Sequence, residues 1–232
     1  DFRVMHCAAL ETLLVNSVAT LIDKDFVSLE TIAQDGMRVR ASAGKSSFRR
    51  KPTQEELQQL SAEHLKRLKD EADDAVKQSE SDARKQAAQE RAAEDKNRRL
   101  EEALRQVDEL ARQKEKRSSG TGETARVSTT DPDARVMKMA NGGFNPAYNV
   151  QFATDGDARM IVGVLVTNEG TDGGQMQPML EKIEENYGKL PEKALVDSAF
   201  ATKEGVTEAE KLGVQVISSV PRVEQLKRSG KD

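Results

Sequence analysis

TIAQDGMRVRASAGKSSFRRK, residues 31–51, decides how this chain is read. Ile32, Val39 and Ala41 are the apolar positions of a strand running from Thr31 to Ala41. Asp35-Gly36 in its middle admits the opposite reading, because Asp-Gly between apolar residues is a hairpin signal. As one strand, the segment places a carboxylate inside a sheet. As a hairpin, it places one in a turn. Directly after Asp35, residues 36–54 hold Arg38, Arg40, Lys45, Arg49, Arg50 and Lys51 with no acidic residue. Such a tract can neutralise phosphates and make binding salt-dependent. It reads equally as a solvated basic loop.

Further along, the composition changes. Residues 53–117 carry 17 acidic and 15 basic side chains. No Gly occurs from 46 to 119 and no Pro from 53 to 130, so this Ala-rich stretch reads as long helix. Leu57, Leu60, Leu65, Leu68, Ala72 and Ala75 roughly follow three-four spacing near its start, and Leu100, Leu104, Val107 and Ala111 follow it cleanly near its end. From Gln78 to Arg98 only Ala offers apolar surface, and Ser79-Glu80-Ser81-Asp82 is the best place for a turn. A straight rod of this length would span roughly 100 Å, so an excursion that leaves one strand and returns near the next favours a helical hairpin, a coiled-coil arm.

The flanks read as globular. Val4 to Ile22 is an apolar helix with Cys7, Leu10, Leu14, Val18 and Leu21 on one face. Residues 118–133, rich in Ser, Thr, Gly and Asp, read as linker. Tyr148, Val150 and Phe152 alternate as the apolar side of a strand, and Asp155-Gly156 marks a hairpin turn. Met160 to Val166 reads as a strand buried on both faces. Met176, Met179, Leu180, Ile183 and Tyr187 give a helix face. Ala194 to Val196 is a short strand closing at Asp197. A helix from Lys203 to Leu212 stops at Gly213, before a strand at Val214 to Ile217. The last two strands, joined through a helix, are best paired in parallel. The fold class is therefore α/β: a mixed five-stranded sheet with flanking helices, interrupted after its first strand by the arm. The domain boundaries that follow are 1–52, 53–118, a linker at 119–130, and 131–232.

The whole chain has 232 residues and a net charge of -4, so it is not generally basic, yet the total conceals the tract. No apolar run approaches the ~20 residues of a membrane span. The single Cys7 cannot form an internal disulfide, which makes a reducing cytoplasm the default. Cys7 reads as a buried thiol, and His6 and His64 have no metal-ligand partner at useful spacing. Gly142-Gly143 and Gly173-Gly174 are loop glycines without a phosphate-loop pattern. The carboxylates remain. Asp35 and Asp197 interrupt strand-like segments, and carboxylates on neighbouring strands could share divalent cations, which prefer oxygen ligands. For Asp197 a helix cap or loop role stays open.

DGMRVRASAGKSSFRR, from Asp35 to Arg50, resembles the first catalytic motif of DDE-type transposases of bacterial insertion sequences. TDPDARVMK (130–138), GGFNPAYNVQ (142–151), Asp172 with Gln175 and Pro178-Met179-Leu180, and Asp197-Ser198-Ala199-Phe200 resemble further segments of that family in the same order. Ala199 stands where the family has Gly. The resemblance implies an RNase H-like fold, with Asp35 and Asp197 as two of three metal-binding carboxylates. It implies two Mg²⁺ (or Mn²⁺) ions, stabilising the attacking and leaving oxygens of phosphoryl transfer on DNA. Cleavage at the element's end and strand transfer to target DNA would be the reactions, with DNA as partner, a homo-oligomer possible, and neither membrane nor small-molecule cofactor involved. Arg38, Arg40, Lys45, Arg49, Arg50 and Lys51 would hold the DNA backbone. The family's third acid, a Glu on a later helix, has no counterpart here; Glu224 sits in no matching motif. The chain is therefore expected to be a central piece of a transposase. The alternative is a catalytically inactive remnant serving as a DNA-binding or coiled-coil interaction module.

Overall fold

The computed structural model describes residues 5–74, 80–116 and 121–219. The elements are α1 (Cys7–Asp23), β1 (Thr31–Arg40), β2 (Phe48–Arg49), α2 (Lys51–Asp74), α3 (Glu80–Lys116), β3 (Val127–Ser128), β4 (Arg135–Lys138), β5 (Phe144–Asp155), β6 (Ile161–Thr167), α4 (Met176–Tyr187), β7 (Lys193–Val196), α5 (Lys203–Lys211) and β8 (Gln215–Ser218). They fall into two compact units, one from Asp1–Val39 with Asn149–Asp232, the other Arg40–Tyr148.

The sheet has six strands rather than the expected five; the first unit holds five of them, in the order β6-β5-β1-β7-β8, with helices packed on it. β5 and β6 pair antiparallel. β7 pairs in parallel with both β1 and β8, as the helix-joined crossover requires. Thr31 accepts from the Gly156 amide, and Gly36 lies against Gln151, so β1 and β5 run antiparallel. One face of the sheet carries the core: Ile32, Ala153, Val162, Ala194 and Val196 pack with Met176, Met179, Leu180 and Ile183 of α4, and with Phe200, Ala209 and Val214. The helix face expected from the Met and Leu spacing in α4 is the buried one. Asp155 closes the β5–β6 hairpin: its carboxylate, 1% exposed, accepts from the amides of Leu29, Asp157 and Ala158.

Three expectations need correction here. Only Val18 of the α1 face is buried, with Leu21 and Ile22 packed beside it; Leu10 and Leu14 are exposed, and so is Cys7, which is not a core thiol. β6 is not buried on both faces: Val162 and Gly163 are buried, but Ile161 and Val166 are exposed, Val166 at 64%. On β5 the inward side is Asn149, Gln151, Ala153 and Asp155, while Val150 and Phe152 are only half-buried.

In the second unit, α2 and α3 pack together. Lys51 pairs with Asp108 and Lys69 with Glu94, each at 2.8 Å. The later the partner on α2, the earlier its mate on α3, so the two helices are antiparallel and the arm is a hairpin rather than a rod. On α3 Glu90, Ala93, Asn97, Leu100, Leu104, Val107 and Ala111 are buried or half-buried and step by three and four, with Ala103 buried beside them. That is a heptad seam. On α2 the seam runs through Gln54, Gln58, Ser61, Leu65 and Leu68, and Leu60 points away from it at 56% exposure. The proposed turn at 79–82 is helical from Glu80 onward, and Ser79 lies outside the described residues, as do Ala75 and the Ala72 side chain.

From residue 121 on, the stretch read as linker packs at the base of the arm. Val127 and Ala125 are buried against Ala103 and Val107, and β3 pairs antiparallel with β2. The segment 130–138 forms a corner beside it. Arg135 reaches Gln106 of α3 at 2.8 Å, and the Tyr148 hydroxyl donates to Asp131. Burial, followed by this bond to Asp131, pushes the Tyr148 phenol up. β4 pairs with the start of β5. Among the described residues, no helix is long and apolar enough to cross a membrane.

Candidate functional site

β1 runs unbroken from Thr31 to Arg40, through Asp35-Gly36, so the hairpin alternative for that dipeptide is excluded. The register of β1 on β7 then brings the two singled-out aspartates together. Gln34 is the Cα partner of Val196, the last registered pair of the two parallel strands. Asp35 and Asp197 are the next residue on each. Burial alternates along both strands: Ile32 and Gln34 are buried on β1, and Ala194 and Val196 on β7. Asp35 and Asp197 therefore follow on the opposite, open side, and both are exposed. Asp197 stands at the carboxyl end of β7, where ligands of α/β sheets gather, and Asp35 lies midway along β1, just past the end of the ladder the two strands share.

Each carboxylate makes a local backbone contact. The Gly36 amide donates to Asp35 Oδ1 at 2.7 Å, and the Ala199 amide donates to Asp197 Oδ1 at 2.8 Å. These bonds orient the two side chains. Two adjacent anions repel, and a hard divalent cation relieves that repulsion while accepting oxygen donors. The donor set fits Mg²⁺ or Mn²⁺, since Mg²⁺ usually takes one or two carboxylates and keeps several waters. Among the described residues, no group of three or more His, Cys, Asp or Glu gathers at one place. Glu224 lies outside the described residues.

Behind this pair, on the core side of the sheet, lies a polar network that pattern reading did not find. Asp172 accepts from Asn149 Nδ2 at 2.8 Å, Gln151 Nε2 at 2.9 Å and Arg38 Nη1 at 3.1 Å. Arg38 also donates to the Gly170 carbonyl. Gln34 Nε2 donates to Gln151 Oε1 and to the Gln175 carbonyl. Burial raises the Asp172 pKa, but the bonds from Asn149, Gln151 and Arg38 outweigh it and hold the carboxyl below its ordinary value. Gly36 is the residue this network needs. A Cβ there would lie on Gln151 Nε2, 2.7 Å from Asp172 Oδ1 and 3.1 Å from Asn149 Oδ1. The signal in the sequence was Asn149 and Gln151 alternating with Val150, a polar period-two set as regular as the apolar one.

The structure divides the basic tract. Arg38 has its guanidinium committed to Asp172 and Gly170, with the side chain 21% exposed. Arg40, at the end of β1, is exposed. In the second unit Lys45, Arg49 and Arg50 are exposed around β2, and Lys51, also exposed, is paired with Asp108. No protein-family model matches the chain. The curated proteins searched contain no match to it either.

Proposed function

We propose that the chain is part of a DDE-type transposase, with an RNase H-like sheet and metal-dependent phosphoryl transfer on DNA as its chemistry. The observation that carries this reading is the placement of Asp35 and Asp197 one residue beyond a shared parallel register, both exposed. The strand order β6-β5-β1-β7-β8 supports it, with β5 antiparallel to its neighbours and β7 parallel to β1. So do the ordered motifs, of which the Asp35 and Asp197 segments are the ones brought together.

In this mechanism Asp35 and Asp197 hold the divalent cations. A cation bound there supplies Lewis-acid stabilisation of charge on the phosphoryl oxygens. The amides of Gly36 and Ala199 orient the two carboxylates through their Oδ1 atoms. Arg40, Lys45, Arg49, Arg50 and Lys51 neutralise phosphates and place the DNA backbone, a term that carries affinity rather than sequence choice. Arg38 acts indirectly, by holding the end of β1.

The test is binding of short duplex DNA in the presence and absence of Mg²⁺, with Asp35→Asn and Asp197→Asn beside the wild type. Mg²⁺ should strengthen binding by the wild type and lose that effect in both variants. An equal Mg²⁺ effect in all three would remove the assignment.

A further inference from the structure

We infer that the loop Gly170–Gln175 is a clamp that sets the distance between Asp35 and Asp197, with Asp172 and Gly173 as positioning residues. The inference rests on the metal-site reading above and adds residues to it that touch neither cation nor DNA.

The two carboxylates leave from different strands, and past Gln34 and Val196 the ladder between those strands ends. The register sets the two residues side by side, and what holds their carboxylates at one separation lies beyond the ladder. The loop between β6 and α4 lies against the middle of β1 and against the turn after β7. On the side of β1 and β5 it is held by hydrogen bonds along its length. Arg38 reaches Asp172 and the Gly170 carbonyl, Asn149 reaches Asp172, and Gln34 reaches the Gln175 carbonyl at 3.0 Å. Gly36, whose amide orients Asp35, rests directly on the side chains of this network.

On the β7 side the same loop meets the turn after Asp197. A Cβ on Gly173 would come 3.2 Å from Thr202 Cγ2 and 3.5 Å from the Ala199 carbonyl oxygen. Ala199 is the residue whose amide orients Asp197. Thr202 caps α5 by accepting from the Gly205 amide. The loop is rigid within itself, with Gly173 N bound to Thr171 Oγ1 and Gln175 N to the Asp172 carbonyl. A displacement at Asp172 therefore moves the backbone under Asp35, and a displacement at Gly173 moves the turn that carries Asp197.

The experiment uses the full chain and Mn²⁺ as the probe. Paramagnetic broadening of backbone amide resonances is followed against Mn²⁺ concentration. In the wild type, broadening centred on residues 35–36 and 197–199 establishes the metal site; its absence there defeats the metal-site reading and the clamp with it. Given that broadening, Asp172→Asn and Gly173→Ala should each raise the Mn²⁺ concentration needed by about tenfold, the usual effect of losing a residue behind a ligand. Thr202→Ser removes Cγ2 and keeps the capping oxygen. Combined with Gly173→Ala, it should restore the wild-type titration. Rescue separates a set distance from a general loss of folding, which Thr202→Ser has no means to repair. A wild-type titration in both single variants would overturn the clamp while leaving the metal site standing. Failure of the double variant to recover would overturn the part assigned to Gly173.

Discussion

Gln34 and Val196 are Cα partners on parallel strands, and each is followed at once by an exposed aspartate. Two anions so placed gain nothing from each other and are not part of the core. Asp35→Asn and Asp197→Asn should therefore leave stability within about 0.5 kcal/mol of wild type, as surface changes do. Urea unfolding checks this. A large loss in either would give that aspartate a structural role.

Gly36 contrasts with its neighbour. A Cβ at this position collides with Gln151 and Asp172, both held by other bonds. Gly36→Ala should cost about 1–3 kcal/mol, the range for overpacking. A neutral result in urea unfolding would mean that the network behind β1 is loose.

Asp172 gives the protein an acid-sensitive element. Its folded pKa lies below the unfolded value, so its contribution is full above the unfolded pKa of about 4 and is lost as pH falls through the lowered one. Near neutral pH, Asp172→Asn should be less stable than wild type. Below about pH 4 the difference should shrink, because wild type is then losing the same charge. Unfolding free energies measured across that range decide it; a constant difference would mean that the charge contributes nothing.

Arg40, Lys45, Arg49 and Arg50 are exposed cations. Changed together to Ala, they should weaken DNA binding and make the log–log salt dependence shallower by about 0.9 for each phosphate no longer neutralised. Arg38→Ala, by contrast, should act through stability, since its guanidinium is engaged by Asp172 and Gly170. Fluorescence anisotropy at several salt concentrations distinguishes them.

The hairpin arm can be checked by its register. Leu100 is 2% exposed and Leu60 56%. Leu100→Ala should cost about 2–5 kcal/mol, whereas Leu60→Ala should stay within about 0.5 kcal/mol. Comparable losses would place Leu60 on the seam.

Much of this architecture is legible because it rests on local patterns. Asp155-Gly156 is both a turn signal and a turn, and the α4 face follows from its spacing. The arm's breaker-free charged sequence is helix on both sides of residues 75–79. What was not legible depends on distant partners. Asp35-Gly36 has the local signature of a turn, yet it stays in a strand because Gln151 and Asp172 lie beside the glycine. Asn149 and Gln151 look like the wet side of β5 until Asp172, more than twenty residues later, accepts from both. Leu60 fits the apolar spacing of a seam, yet Gln54 and Ser61 take the buried places, Gln54 donating to the distant Val127 carbonyl. The pairing of Asp35 with Asp197 could be expected from motifs alone; its physical cause, the parallel register of β1 on β7, could not.

The most direct measurement is a Mn²⁺ titration of the wild-type chain followed by NMR, with Asp35→Asn and Asp197→Asn as controls. Broadening should centre on residues 35–36 and 197–199 together, and either substitution should abolish it at both places. Broadening confined to one of the two aspartates, or unchanged by removing the other, would contradict a shared site.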